Sequence, residues 1–289
     1  MSSKALAELL ELLELEQLEV NLFRGLSPEE NRQRVFGGQV AGQALIAAGR
    51  TVDRGLVHSL HAYFLRPGDP QIPIVYDVDR IRDGRSFTTR RVVAIQHGRA
   101  IFNLAASFHV EEEGPSHQYD MPDAPDPESI PTLREKMEPH LHRFSAEMAE
   151  WIVRERPIDT RSAGLPHWLD PDDRVREPEQ LVWFRANGDL PDDPLLHACV
   201  VAYASDLTLL DTAVMPHAAS WDDEQYMIAS LDHAMWFHRP FRADEWLLYH
   251  QRSPSAQAAR GLAEGHIYRR DGGLAVTVIQ EGLIRPIGR

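Results

Sequence analysis

SLDHAMWFHRPF, residues 230–241, is followed later in the chain by VIQEG at 278–282. The first half carries a looser copy of the same text, with HSLHAYFLRPG at 58–68 and AIFNLAASF at 100–108. A long apolar segment of helical character precedes each copy. The sequence therefore predicts one structural unit used twice. The polar residues that differ between the copies indicate one retained site and one degenerate site.

Each copy is predicted to consist of a strand, a long helix and four antiparallel strands. In the first copy these segments lie at 18–23, 40–52, 57–65, 72–82, 86–96 and 100–111. In the second they lie at 181–186, 194–210, 230–238, 245–253, 257–269 and 274–284. The expected fold class is α+β, with a curved antiparallel sheet wrapped around a central helix in each unit.

The predicted boundaries divide the chain into three parts. An N-terminal unit with a degenerate site occupies 1–111, and a C-terminal unit with the catalytic residues occupies 178–289. Between them, residues 112–177 are rich in proline and acidic residues, with a helix candidate at 133–154. Such composition is typical of a turn-rich connection.

Composition excludes several classes of protein. The formal net charge of −14 argues against nucleic acid or an anionic membrane as a partner. No apolar run approaches the ~18 residues that a membrane-spanning helix needs. The single cysteine, Cys199, allows no intrachain disulfide and fits a reducing compartment. We therefore expect a cytoplasmic protein.

Several segments, in order along the chain, resemble the acyl-CoA thioesterase II family, which includes bacterial thioesterase B and its peroxisomal relatives. The matching text is FGGQVAGQA at 36–44, HSLHAYFLRPG at 58–68, DGRSF at 83–87, SD at 205–206, LDHAMWFHRP at 231–240 and QEG at 280–282. The resemblance runs nearly end to end and is weakest across the acidic connection.

This resemblance implies a double hot-dog fold and hydrolysis of medium- to long-chain acyl-CoA to fatty acid and coenzyme A, without a cofactor. The family uses an Asp, a Ser or Thr, and a Gln from the second unit, which correspond here to Asp206, Ser230 and Gln280. The bacterial members carry threonine where this chain has Ser230. An acyl-CoA substrate and a homodimer or homotetramer are the expected partners.

Asp206 follows the spacing of the apolar positions 195, 199, 202 and 209, so a helix would turn it toward the core. A carboxylate there is costly unless it is hydrogen-bonded, and desolvation would raise its pKa toward the range of a general base. The alternative interpretation is a structural aspartate that bonds backbone groups.

Gln280 alternates with Leu274, Val276 and Val278 on one face of the last predicted strand. Its amide can donate to one group and accept from another, which suits the positioning of a water molecule or a thioester carbonyl. The matching position in the first unit falls near Ala105, where no polar group is present. Ser230 lies at the entry of its strand, where serines usually serve as caps or in turns.

Direct attack by water is the expected mechanism, because the chain has no Gly-x-Ser-x-Gly elbow and Cys199 lies in an apolar helix. Asp206 would accept the proton of the water while Ser230 and Gln280 fix its position. Backbone N–H groups near Gly38 and Gln39 are candidates to bind the oxyanion. The alternative is that these glycines only allow close packing.

Other binding candidates follow from residue type. His58 is a candidate for the ligand cleft, although a structural histidine is the alternative. Arginine suits the phosphates of coenzyme A; the candidates are Arg85, Arg90, Arg91, Arg260, Arg269 and Arg270. No metal site is expected, since residues three apart on a strand, such as His58 and His61, point to opposite faces.

Two other functions remain open. A hot-dog enoyl-CoA hydratase or dehydratase typically pairs an Asp with a His in a hydratase motif, and neither predicted central helix carries one. A non-catalytic acyl-CoA binder is the second alternative, which the presence of all three catalytic residue types disfavours.

Overall fold

The computed structural model describes residues 3–28, 33–164, 175–217 and 226–287. These residues form one antiparallel sheet of thirteen strands, with helices packed against it. None of the described helices has the length and apolar composition needed to cross a membrane. The predicted α+β class is confirmed.

The first unit begins with an amphipathic helix, whose buried leucines Leu6, Leu9 and Leu13 face the core and whose N-terminus is capped by the Ser3 side chain. The elements of this unit are α1 (Lys4–Leu13), β1 (Glu16–Glu19), β2 (Leu22–Gly25), α2 (Gly37–Gly49), β3 (Leu56–Phe64), β4 (Ile74–Asp83), β5 (Phe87–Gln96) and β6 (Arg99–His109).

The described part of the connection contains two short α-helices and one edge strand, α3 (Leu133–Met137), α4 (Ala146–Val153) and β7 (Ile158–Ser162). The second unit then repeats the order of the first. Its elements are β8 (Glu179–Ala186), α5 (Pro194–Ser205), α6 (Asp211–Val214), β9 (Tyr226–Ser230), β10 (Asp232–Phe237), β11 (Leu247–Gln257), β12 (Arg260–Arg269) and β13 (Leu274–Pro286).

The strand order is symmetric about the centre of the sheet. It runs β1-β2-β4-β5-β6-β3-β10-β13-β12-β11-β8-β7, with β9 paired to β13 outside this path. The two units meet where β3 pairs with β10, and each then continues outward through equivalent strands. The register is equivalent too: Ala62 lies opposite Leu104 in the first unit, and its counterpart Met235 lies opposite Val278 in the second.

The two central helices cross in opposite directions inside the core. A Cβ on Gly38 would come within 2.4 Å of the Tyr203 carbonyl oxygen, and one on Gly49 within 2.4 Å of Leu195. The N-terminus of α2 therefore lies against the C-terminus of α5, and the C-terminus of α2 lies against the N-terminus of α5. Small residues make this approach possible, because any larger side chain at these points would separate the helices.

Four sequence predictions need correction in detail. Residues 18–23 are not one strand but parts of β1 and β2, with a turn between them. β11 continues to Gln257, and the bend comes at Ala258 and Ala259, which both adopt positive φ. The candidate helix at 133–154 is divided into α3 and α4, because its middle forms a 3₁₀ turn. The helix predicted to reach residue 210 ends at Ser205.

Candidate active site

Asp206 caps the C-terminal end of α5. The helix begins at Pro194, where the Asp193 side chain accepts a hydrogen bond from the Leu195 N–H, and it is apolar and buried on nearly all sides. Asp206 follows the last helical residue; part of the residue remains exposed, but its carboxylate is desolvated by the surrounding protein. The prediction that it lies within the helix was therefore wrong by one position, but the expected orientation toward the interior is correct.

Three groups from separate parts of the chain donate hydrogen bonds to this carboxylate. The Gln280 Nε2 atom on β13 lies 2.5 Å from Oδ1, and the Ser230 hydroxyl at the end of β9 lies 3.4 Å from the same oxygen. The backbone N–H of Gly38, in the first turn of α2, also donates to the carboxylate. We call Asp206, Ser230, Gln280 and the Gly38 N–H the carboxylate cluster.

Burial raises the pKa of Asp206 to about 6, against an ordinary value of 3.8. The hydrogen bonds from Gln280, Gly38 and Ser230 lower this pKa in part, as does the charge of Arg34, but desolvation is the larger effect. The carboxylate is thus ionised at neutral pH and more basic than an exposed aspartate. Such a group is suited to accept a proton near neutrality.

The glycine at 37 allows the carboxylate to come this close to α2. A Cβ there would lie 2.7 Å from Asp206 Oδ2 and 2.8 Å from the ring of Phe64. Phe36 precedes the helix without supplying a side-chain cap, so the N–H groups of the first turn are left for other partners. The helix N-terminus and the carboxylate therefore face each other directly.

The described residues of the first unit form no equivalent cluster. Given the matched register, the counterpart of Gln280 is Ala106, one residue from the predicted Ala105. On the neighbouring strands Ala263 lies opposite Gln280, whereas Arg90 lies opposite Ala106. In the second unit the polar residue is on β13 and the alanine on β12. In the first unit the alanine is on β6, the counterpart of β13, and the polar residue is on β5, the counterpart of β12.

Arg90 is 1% exposed, and its guanidinium is saturated by protein acceptors. It donates to the Thr51 side chain at 2.8 Å, to the Thr51 carbonyl at 2.9 Å, to the carbonyls of Arg82 and Thr89, and to Asp83 at 2.5 Å. The prediction that Arg90 meets a phosphate was therefore wrong, because this side chain fills the interior at the far end of α2.

Of the predicted binding residues, only Gly38 reaches the cluster, and its N–H meets the carboxylate rather than being left for an oxyanion. The Gln39 side chain is buried and donates to the Leu26 carbonyl and the Ser27 hydroxyl, so it secures the segment before α2.

His58 hydrogen-bonds to Ser107 at 2.8 Å near the start of β3, and Arg85 is exposed in the turn after Asp83. Arg90 binds both Asp83 and Thr51, and Thr51 lies just beyond the C-terminus of α2, so the turn that carries Arg85 lies at that end of the helix. The His58 ring packs edge-on against Phe87, which follows the same turn, so His58 lies there too. The helix has thirteen residues and a length of about 20 Å. The structure does not bring His58 or Arg85 to Asp206.

Arg260 lies on β12, and its Nε donates to Glu281, the neighbour of Gln280, at 2.9 Å. The other surface arginines that were candidates for phosphate contact are also paired with carboxylates, Arg91 with Asp79, Arg269 with Asp271 and Arg270 with Asp126. On β12, Ala263 lies opposite Gln280, so Arg260 is three positions from the cluster along this strand and Arg269 is six.

Sequence reasoning missed Arg34. Its Nη2 atom donates to the Ile228 carbonyl at 3.1 Å, two residues before Ser230, and its charge acts on Asp206. Its place two residues before the FGG segment gave a positional hint, but only the packing shows that Arg34 lies near Asp206. Arg34 also lines a pocket of about 220 Å³ with Phe36 and Tyr203, although the three predicted catalytic side chains do not line it.

Two other chemistries find little support in the described residues. In the part of the chain that the structure covers, no group of three or more histidine, cysteine or acidic side chains is arranged to hold a metal ion. Cys199 is fully buried, and burial raises the pKa of its thiol well above the ordinary value. A thiol that remains protonated is a poor nucleophile.

Comparison with known proteins gives a consistent result. A family model described as acyl-CoA thioesterase matches residues 170–283, and one described as acyl-CoA thioesterase N-terminal domain matches 27–109. The chain is 43% identical to human acyl-coenzyme A thioesterase 8 over 283 residues, which is 95% of this chain and 88% of that protein.

Solved structures agree with this likeness. An acyl-CoA thioesterase II from Mycobacterium marinum is 49% identical, with a TM-score of 0.78, over 96% of this chain and 98% of that one. A protein with a hot-dog fold from Alicyclobacillus acidocaldarius is 19% identical, with a TM-score of 0.77, over 96% of this chain and 98% of that one. The predicted double hot-dog architecture is thereby confirmed.

Proposed function

The chain belongs to the acyl-CoA thioesterase II family and hydrolyses acyl-CoA thioesters, and we propose that Asp206, Ser230 and Gln280 catalyse this hydrolysis by activating water. The observation that supports the proposal is the convergence of Gln280 and Ser230 on one oxygen of a buried carboxylate. The chain positions that meet there, 206, 230 and 280, lie on three different elements of the second unit.

In the proposed reaction, Asp206 accepts a proton from a water molecule while the oxygen of that water attacks the carbonyl carbon of the thioester. The carbon–sulfur bond then breaks, and coenzyme A leaves as a thiolate. This step needs no strong acid, because a thiol has a pKa of about 8.5. The thiolate takes up a proton afterwards, and the carboxylate returns to its ionised form.

Ser230 and Gln280 orient the water and the carboxylate. The Gln280 amide oxygen is buried and has no hydrogen-bond partner among the described protein groups, so it is able to accept from the attacking water. The uncapped first turn of α2 offers N–H groups besides that of Gly38 for the oxyanion.

Further parts of the proposal concern substrate and setting. We include medium- to long-chain acyl groups, Arg260 as a contact for the coenzyme A moiety, a homodimer or homotetramer, and a cytoplasmic location. The division into a non-catalytic unit at 1–111, a connection at 112–177 and a catalytic unit at 178–289 belongs to the same proposal. The filled interior around Arg90 supports it.

Incubating the protein with palmitoyl-CoA and a thiol reagent tests the activity directly. Release of free thiol supports the thioesterase. Loss of enoyl absorbance on crotonyl-CoA without thiol release would instead indicate a hydratase, and saturable binding without turnover would indicate a binder. A series of acyl-CoA substrates of increasing length then measures the chain-length preference.

Ser230 gives a graded prediction. Ser230→Thr retains the hydroxyl near Asp206 Oδ1 and should keep most of the activity. Ser230→Ala should lower kcat by about tenfold or more, because a positioning hydrogen bond is removed. Measured kcat values for the two folded variants check this. Equal rates in both would show that the hydroxyl has no role in positioning water.

Cys199 provides the complementary prediction. Cys199→Ser should leave kcat within a few-fold of the wild type, since the buried thiol is protonated and takes no part in attack. Some loss of thermal stability is expected because a polar hydroxyl enters an apolar site. A folded variant without thiol-releasing activity would require a covalent thiol mechanism instead.

A further inference from the structure

Ser205, the residue that precedes Asp206, is fully buried and held from two strands. Its hydroxyl oxygen lies 2.8 Å from His233 Nε2 on β10 and 3.0 Å from the Ala202 carbonyl. Its own carbonyl accepts a hydrogen bond from the Tyr249 hydroxyl on β11 at 3.2 Å. The end of α5 is thus fixed to the sheet immediately before the carboxylate.

His233 is 1% exposed, and burial lowers its pKa to about 4, so the ring is neutral at the pH values at which the enzyme would work. The Ser205 hydroxyl carries one hydrogen. If it donates that hydrogen to Ala202, His233 Nε2–H donates to Ser205 Oγ and both contacts are satisfied. A directed hydrogen-bond chain then runs from β10 into the last turn of α5.

The same histidine stands next to Gln280 in the sheet. Ala234 lies opposite Ile279, so His233 and Gln280 occupy adjacent positions on neighbouring strands, and both are buried on the inner face. One side chain of β10 therefore lies beside Gln280 and contacts Ser205, the residue that precedes Asp206.

We propose that His233 is a positioning residue for the hydrolysis, which holds the end of α5 through Ser205 and so fixes the Asp206 carboxylate against Gln280 and the Gly38 N–H. This role rests on the proposed function of Asp206. It is distinct from catalysis, because His233 acts through Ser205 and has no contact with the reacting atoms.

Comparison with the first unit favours a functional role for His233 over a purely structural one. The counterpart of His233 there is Leu60, which is also fully buried, and that unit lacks the carboxylate cluster. The fold thus accepts leucine at this position of the sheet. Histidine is present in the unit that carries the cluster, where a polar contact to the helix end has a use.

The test compares His233→Leu, Ser205→Ala and the double variant with the wild type. His233→Leu should lower kcat by about tenfold or more, with KM within about twofold, because the loss concerns orientation of the base rather than substrate binding. Ser205→Ala should have a similar effect. The double variant should be no worse than either single one, since both changes remove one contact.

The fall of kcat at acidic pH, called here the acid limb of the pH profile, provides a second readout. A purely structural role of His233 would leave the pH of this fall unchanged. Groups that act on Asp206 are the Gln280 amide, the Gly38 N–H and the Ser230 hydroxyl, which lower its pKa, the charge of Arg34, which also lowers it, and the neutral Tyr249 phenol nearby. Loosening the carboxylate from its donors should therefore shift the limb to higher pH in His233→Leu.

Two further variants serve as controls. His233→Gln keeps an N–H donor close to the position of Nε2 and should recover most of the lost activity. Leu60→Met changes the fully buried counterpart of His233 in the first unit, keeps an apolar side chain of similar volume, and should leave kcat and the limb unchanged. Thermal melting and circular dichroism confirm the folded fraction of each variant.

A folded His233→Leu with the wild-type kcat and limb would overturn the proposal, and so would a lower kcat with an unmoved limb. If His233→Leu does not fold, Ser205→Ala decides on the same criteria. Failure of the wild type to release thiol is a separate result, because it would contradict the hydrolytic role of the cluster itself.

Discussion

Asp206→Asn is expected to lower kcat for acyl-CoA by roughly 10²–10⁴-fold, the usual contribution of a positioned general base. The amide keeps the size of the side chain and an oxygen that accepts from Gly38, so the fold should persist. Substrate binding should change far less, since the carboxylate acts on water. Steady-state kinetics of both proteins with circular dichroism measure these effects.

The wild-type rate should fall as the pH drops through about 6, the raised pKa of Asp206. Below that pH the carboxyl is protonated and cannot accept the proton of water. The residual activity of Asp206→Asn should lack this limb between pH 5 and 9. A folded variant with near wild-type turnover would remove Asp206 from the mechanism.

Stability should respond in the opposite direction. The pKa of Asp206 is higher in the folded protein than in the unfolded chain, so the folded protein binds more protons in this pH range. The protonated side chain therefore stabilises the fold at low pH, and this contribution is lost as the pH rises through about 6. Asp206→Asn should therefore melt no lower than the wild type at pH 8. Such a result would show that the buried charge is retained for chemistry rather than for stability.

Gln280→Met is expected to lower kcat by about 10²-fold, comparable to the loss of one donor that stabilises charge in an active site. Methionine keeps approximately the buried volume and removes both hydrogen-bonding atoms. Since the Gln280 amide lowers the pKa of Asp206, its loss should also move the acid limb of the pH profile upward.

Gln96→Met is the matched control for this change. Gln96 is likewise buried, but it binds the 69–72 segment of the first unit through the Asp69 and Ile72 carbonyls. Its replacement should reduce thermal stability and leave the kcat of the folded protein and the acid limb unchanged. Equal losses of activity in both variants would reduce the role of Gln280 to general packing.

The predictable part of this fold came from local patterns. Alternating apolar residues located the strands, and alanine-rich apolar segments located α2 and α5, because side-chain period reports which face an element buries. The ends of elements were harder to place. The hairpin bend at Ala258 and Ala259, for example, uses positive φ without glycine or asparagine, so no turn residue marked it.

The candidate site likewise contains residues that the sequence identified and residues that only the structure revealed. The sequence motifs, read through the family resemblance, selected Asp206, Ser230 and Gln280. Residue type alone suggested Arg90, which the structure buries and saturates with hydrogen bonds. Arg34 and His233 could not be ranked from sequence. Each gains its importance from a neighbour far away in the chain.

The sequence by itself determined the duplicated units, the order of their elements and the residue types available for chemistry, since these depend on side chains close together in the chain. Only the tertiary structure decided that a carboxylate at the end of α5 meets the first turn of α2 and an amide on β13, and that Arg90 fills the corresponding place in the other unit. The physical reason is that strand register and burial are non-local: desolvation raises the pKa of Asp206 only when the two helices and the sheet close around it.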